Sequence, residues 1–295
     1  GSIGSLWASR FIDKQVSVEL LLRDEKKVAQ LKTKGLTIRH NGESKTYHPE
    51  LLYAPSHTGP AITHLLITTK AHQTLPALQT FAQRLSPSTH LILLQNGMGV
   101  ANEIKQRYPS NPLFLGITTD GAYRSDPDTV VFAGEGESWF GPANNEKPEA
   151  LSTLKTVHPA SQWEANIYPR IWQKFAINCA INALTVLYQC KNGALLHNQD
   201  ARLQLTEICI EIEALFHKKN IPLPEPLLEM ALRVAEKTAD NVSSMLQDFR
   251  AKRPLELAYL NGHLCKEAAR IGIKAPANLA LIKKIDTLIA SSYHP

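Results

Sequence analysis

The chain has 295 residues, 43% of them hydrophobic and 20% charged, and a net charge of +5. That length exceeds the usual single domain, so two domains of ordinary size are expected. No Lys/Arg run is longer than three and no basic stretch is interleaved with aromatics, which argues against a nucleic-acid partner and leaves a mild positive bias suited to small anionic ligands.

Residues 1 to about 12 read as a helix, and GSIG at its start has two glycines three apart. This is the second half of a Gly-x-Gly-x-x-Gly dinucleotide fingerprint whose strand and first glycine are absent. Gly1, Ser2, Ile3 and Gly4 would let a pyrophosphate approach the helix N-terminus; a chance glycine pair is the alternative. Gln15–Arg23 reads as a buried strand ending where the fingerprint expects the residue that reads the adenosine ribose. Arg23 there favours a 2′-phosphate and hence NADP over NAD, whereas Asp24, one residue on, would favour NAD if the strand ran longer. Asn41-Gly42 between extended segments signals a hairpin. Thr63–Lys70 and Thr89–Gly97 read as two more strands, with a helix over Thr74–Leu85 between them. Lys70 and Asn96 thus close parallel strands, where open α/β sheets hold their ligands, and QNGMG (95–99) lets backbone pass close to a cofactor. Ordinary turn chemistry is the competing reading. Further strands within 112–142 finish an α/β domain over residues 1–165.

Residues 166–295 read as all-helical, with helices over 167–189, 199–220, 225–249, 254–271 and 276–291. The first of these is apolar nearly all round, yet Lys174, Asn178 and Asn182 recur every four residues and share one face. A buried stripe of one amine and two amides needs polar partners, and its place at the head of the second domain predicts a ligand wall near the domain seam. Asn241, Ser243 and Ser244 could bind a substrate carboxylate or hydroxyl, or the serines could simply bend a helix. Glu256 could tune the lysine or stabilise a helix start.

Cys179, Cys190, Cys209 and Cys265 stand far apart, and three lie in apolar helical patterns. They read as reduced core residues of a cytoplasmic protein. Eleven histidines form no HExxH pair, so no metal centre is expected. No stretch has the length and apolarity of a membrane span, and no signal peptide is read. Oligomeric state is open between monomer and homodimer.

The set QNGMG, WQKFAINCAINALT, KNGALLH, DNVSSMLQDFRAKRPLELAYLNG and GIKAP, in this order across nearly the whole chain, resembles the ketopantoate reductase family. The resemblance implies a Rossmann-type doubly wound sheet followed by an all-α domain of the 6-phosphogluconate-dehydrogenase-like kind, with the site between them. It also implies NADPH-dependent reduction of ketopantoate, a 2-oxo acid, to pantoate in pantothenate biosynthesis. By the same resemblance Lys174 is the catalytic general acid. Asn178, Asn182, Asn192 and Asn241–Ser244 contact substrate. Asn96 is shared between nicotinamide and substrate, and Glu256 lies near the nicotinamide ribose. Gly1–Gly4, Arg23, Lys70 and Ala122 fall on cofactor positions. The family's first strand and glycine are missing, so the native chain is expected to begin about eight residues earlier, a strand of usual length plus that glycine. A reductase of another 2-oxo acid, or an inactive NADP-binding regulatory protein, are the alternatives.

Overall fold

In the computed structural model, which describes residues 1–56, 59–144 and 146–293, helix α1 (Ser2–Asp13) starts directly after Gly1. Strand β1 (Glu19–Leu22) follows. It is shorter than the expected Gln15–Arg23 because Gln15 takes a positive φ of 56° and closes the turn after α1. Helix α2 (Glu25–Lys34) is capped by Asp24. The hairpin β2 (Leu36–His40) and β3 (Glu43–Tyr47) turns through Asn41 and Gly42 at φ 50° and 85°, the conformation two-residue hairpins prefer. Strands β4 (Glu50–Tyr53) and β5 (Ile62–Ile67) lead to α3 (Ala71–Thr80), which begins three residues earlier than its expected start and stops before a short 3₁₀ turn. Then come β6 (Leu85–Leu93), α4 (Val100–Arg107), β7 (Leu113–Thr118), β8 (Gly121–Arg124), β9 (Thr129–Gly134), β10 (Ser138–Pro142), α5 (Ser152–Val157) and β11 (Ser161–Trp163).

These strands form three sheets: β1 paired with β4, the order β11-β10-β7-β6-β5, and the order β3-β2-β9-β8. Neighbours β5, β6 and β7 are parallel, as the alternation of strands and helices implied, and β10 is antiparallel to β7. Two apolar clusters lie against them, one around Leu6, Leu31, Leu36 and Val130, the other around Trp7, Ile92, Phe114 and Phe140. Helix α1 feeds both, since Leu6 and Trp7 leave it on different sides.

The second unit comprises Tyr168–Pro295 together with Asn96–Gly99, and the remainder of the chain forms the first. Its helices are α6 (Tyr168–Leu187), α7 (Ala194–His197), α8 (Gln199–Lys218), α9 (Leu227–Lys237), α10 (Ser244–Arg250), α11 (Asn261–Arg270) and α12 (Pro276–Tyr293). Helix α6 is the centre of its core: Ala176, Cys179, Ala180, Ala183, Leu184 and Val186 are fully buried. The single helix expected over 225–249 is two, α9 and α10, separated by residues 238–243. Polar groups of that break bond across to other segments instead of continuing a helical ladder. Likewise the expected helix over 254–271 begins as a 3₁₀ turn, Glu256–Tyr259, before α11. No helix among the described residues is long and apolar enough to cross a membrane.

Candidate active site

In the first unit the candidate residues gather around the start of α1. A Cβ on Gly4 would lie 2.4 Å from Thr68 Oγ1, so only glycine lets α1 pack this closely on the end of β5. Lys70, half-buried, is the N-cap of α3 two residues beyond Thr68, and its carbonyl accepts from Gln73 N–H. Arg124, Lys27 and Arg23 all lie close enough to Gly1 to act on it electrostatically. The pKa of Lys27 is lowered, by burial and by Arg124, against the pull of Asp128 and Asp24. Three cations therefore surround the place where the fingerprint seats an anion. Asp24 is occupied: its carboxylate accepts from Lys27 N–H at 3.2 Å and caps α2. Strand β1 ends at Leu22, which leaves Arg23 as the first residue beyond it. Ala122, on β8, pairs with Phe132 of β9.

In the second unit the stripe on α6 has the expected shape. Lys174 and Asn178 are half-buried and Asn182 is buried. Near the far end of the stripe, Thr185 donates to the Asn182 carbonyl at 2.7 Å, and its oxygen lies 2.6 Å from Ser243 Oγ. With the Thr185 proton committed, Ser243 must donate to Thr185, and it accepts from Leu246 N–H at 3.1 Å as the N-cap of α10. Ser243 is thus buried and engaged, whereas its neighbours Asn241 and Ser244 are exposed. The same segment holds the loop after α6: Asn192 N–H donates to Asn241 O at 3.0 Å and Gly193 N–H to Ala239 O at 3.1 Å. Asn182, Asn192 and Asn241–Ser244, far apart in sequence, belong to one hydrogen-bonded cluster.

At the other end of the stripe, Phe175 meets the ring of His263 edge-on at 5.9 Å, and Asn261 Nδ2 donates to the Cys179 carbonyl at 3.0 Å. Both partners stand on the first turn of α11, just beyond the 3₁₀ turn that begins at the buried Glu256. The Asn96–Gly99 turn rests on the same structure. Met98 N–H donates to Tyr259 O at 2.9 Å, and a Cβ on Gly97, whose φ is 83°, would lie 2.9 Å from that same oxygen. The imidazole of His263, its pKa lowered chiefly by burial, lies beside Gly99. So α11 packs on α6 at Phe175 and Cys179, and the Asn96–Gly99 turn rests on the lead-in to α11 that begins at Glu256. This arrangement can hold an anionic, hydroxylated ligand between amides and hydroxyls and set an ammonium group beside it.

The family model described as ketopantoate reductase PanE/ApbA matches residues 1–145, and that for the C-terminal part of the same family matches residues 166–288. The 2-dehydropantoate 2-reductase of Shigella flexneri is 35% identical over 225 residues, covering 75% of this chain and 72% of that one. That of Salmonella typhi is 31% identical over 289 residues, covering 97% and 91%. The chain belongs to the ketopantoate reductase family. A solved ternary structure of D-mandelate dehydrogenase with NADH and anilino(oxo)acetate has the same fold, with a TM-score of 0.91 at 22% identity over 99% of this chain and 96% of that one.

Within this chain, sequence reasoning passed over Lys27, Arg124, Thr185 and Thr238. Lys27 could have been found from Asp24, an N-cap residue followed by an acid in the first helical turn, which marks the start of α2. Arg124 and the two threonines carry no local signal, because each acts on a residue distant in sequence.

Proposed function

We propose that this chain reduces 2-dehydropantoate to pantoate with NADPH. The observation that carries the proposal is the cluster that ties the Asn182 turn of α6, through Thr185, to Ser243, and the loop at Asn192 to Asn241, in a chain of the ketopantoate reductase family. NADPH, when bound, supplies a hydride to the carbonyl carbon of the 2-oxo acid. Negative charge then develops on the carbonyl oxygen, where the Lys174 ammonium stabilises it and donates the proton that completes the alcohol. Asn178 and Asn182 hold the acid so that the carbonyl is presented in one orientation, a contribution to rate through entropy. Glu256, 5% exposed, is the buried acid of this centre.

The phosphate-bearing cofactor is favoured by the first unit. Arg23, Lys27 and Arg124 crowd the start of α1, and the acid that would accept from a ribose 2′-hydroxyl is engaged as a helix cap. Gly1–Gly4, Lys70 and Ala122 would complete the dinucleotide site.

The test is a spectrophotometric assay with NADPH and NADH against ketopantoate and a panel of other 2-oxo acids. NADPH with ketopantoate should be the preferred pair. Lys174→Ala should lose about 10² to 10⁴ in kcat while retaining NADPH binding by fluorescence. Near-normal turnover by that variant would remove Lys174 as the acid, and a higher kcat/KM with another acid would reassign the substrate.

A further inference from the structure

The Asn96–Gly99 turn meets the segment around the start of α11 at three successive residues. Gly97 lies against Tyr259, and Met98 N–H donates to the Tyr259 carbonyl at 2.9 Å. Gly99 meets a side chain instead: a Cβ there would stand 3.2 Å from His263 Nδ1 and 3.5 Å from its Cε1. With φ at 101°, Gly99 also has a backbone conformation that other residues rarely adopt. The imidazole is thus the surface on which the turn ends.

The same ring is held by α6. It meets Phe175 at 5.9 Å with the planes at 90°, Phe175 meets Trp172 at 5.4 Å, and Trp172 meets Phe216 of α8 at 5.5 Å. A second link closes the circuit. Glu267, one turn beyond His263 on α11, pairs with Lys219, whose ammonium lies 5.0 Å from the centre of the Trp172 ring. Ring packing and an ion pair together tie α11 to α6 and leave the imidazole little freedom. The turn itself follows β6, and parallel sheets hold their ligands at the carboxyl ends of their strands. Phe175 is next in the chain to Lys174, the acid of the reduction proposed above. We infer that His263 is a positioning residue for that reaction: its ring sets the Asn96–Gly99 turn against Phe175 and so fixes the turn relative to the helix that carries Lys174.

The neutral ring serves this purpose. Burial holds the His263 pKa below the usual histidine range. Glu267 favours the imidazolium, while Lys219 at the end of α8 and Lys266 on α11 oppose it; α6 and the turn face it with Phe175 and Gly99, which carry no charge. The Glu267 carboxylate is already shared by Lys219 and Arg270. As pH falls through the lowered value, the ring gains a charge that its packed surroundings disfavour, and the turn loses its seat.

The experiment follows kcat and KM over about pH 5 to 8 in the wild type, His263→Ala and His263→Phe, with NADPH and the 2-oxo acid that the wild type reduces best. His263→Ala should lose about 10- to 10²-fold in kcat, the scale set by a misplacement of about 1 Å. KM for the acid, and NADPH binding by fluorescence, should stay near the wild type. His263→Phe keeps a flat ring that cannot titrate, so it should restore kcat at neutral pH and hold it to lower pH than the wild type does. Unchanged kcat in His263→Ala, or a loss confined to NADPH binding, would overturn the inference. So would a His263→Phe enzyme as slow as His263→Ala at neutral pH, or one whose kcat falls in acid as the wild type's does. The His263→Phe profile decides the matter should His263→Ala fail to fold. If the wild type prefers an acid other than ketopantoate, the substrate is reassigned and the same variants still test His263. A wild type that reduces no 2-oxo acid overturns both this inference and the function it rests on.

Discussion

The Arg10–Asp120 cluster of the first unit and the Asn192 cluster of the second are both buried and polar, but only one is complete. Asp120 accepts from both ends of the Arg10 guanidinium, at 2.7 and 3.1 Å, from Thr118 Oγ1 at 3.0 Å and from Gly136 N–H at 3.0 Å. Arg10 lies 5.5 Å from the ring centres of both Trp7 and Phe132. Asn192 has a donor site filled and an acceptor site open. A buried group whose valences are all met has done its work when the chain folds. In Asn192 one valence stays unmet.

The largest expected effect comes from breaking the complete cluster. Asp120→Ala would leave the Arg10 guanidinium buried without its partner, an arrangement that costs about 3–5 kcal/mol. Urea unfolding should show that loss, while kcat at saturating cofactor should be retained. A small shift in midpoint would mean that the cluster is incidental. The pH dependence has a definite sign. Burial alone would raise the Asp120 pKa, but the hydrogen bonds and charge of Arg10, with Gly136 N–H and Thr118, hold it below its usual value. Its contribution is present above the ordinary carboxylate pKa and is lost as pH falls through the folded value. His158, edge-on to Trp7 at 5.5 Å, is lowered first by burial and then by Arg10. The unfolded chain binds that proton more readily, so stability also falls as pH drops below the ordinary histidine range. His158→Phe should flatten that part of a melting-temperature profile.

Next in size is the contact that seats α1. Adding a methyl at Gly4 drives it against Thr68 Oγ1, and overpacking of this kind costs about 1–3 kcal/mol. Gly4→Ala should also raise KM for the cofactor, since it shifts the helix start at which the phosphates bind. The double variant Gly4→Ala, Thr68→Ala should recover both losses. Unrecovered stability would place the strain elsewhere.

The two units also differ in how far they could be read from letters. The stripe on α6 was visible because one element carries all of it: three polar groups at a spacing of four, in the mostly apolar stretch that runs from Phe175 to Leu187. Helix α2 was not, since KKVAQLKTK buries only Val28 and Leu31 and shows no strong face. The break between α9 and α10 was hidden for another reason. Apolar residues continue through Val242, Met245 and Leu246, so the local pattern reads as helix. What stops it is tertiary: Asn192 and Gly193 take the carbonyls of Asn241 and Ala239, and Thr185 takes the Ser243 hydroxyl proton. Arg124 and Lys27 meet through the fold of strands about a hundred residues apart, which no window along the chain can see.

Ser243 is the intermediate case, a site residue by resemblance whose hydroxyl is spent on a cap. Ser243→Ala should cost about 0.5–2 kcal/mol as a lost N-cap. Its effect on kcat/KM should be matched by Thr185→Val, because both break the same link to the Asn182 turn. If Ser243→Ala alone impaired turnover, the serine would have a ligand role of its own.

The smallest expected effect on stability is the one that most sharpens the contrast. Asn192→Leu removes the unpaired oxygen, whose burial costs about 1–3 kcal/mol, and gives up the bond to Thr238, worth about 0.5–1.5 kcal/mol. Thr238 loses a donor but keeps its own bond to Val234. The two terms nearly cancel, so the melting temperature should stay close to that of the wild type or rise slightly. Activity on ketopantoate should nonetheless fall. Asp120→Ala and Asn192→Leu would then be opposites, the first unstable but catalytically intact and the second stable but impaired. A marked destabilisation by Asn192→Leu would instead mean that the asparagine serves the fold as Asp120 does, and the distinction between complete and incomplete clusters would lose its functional meaning.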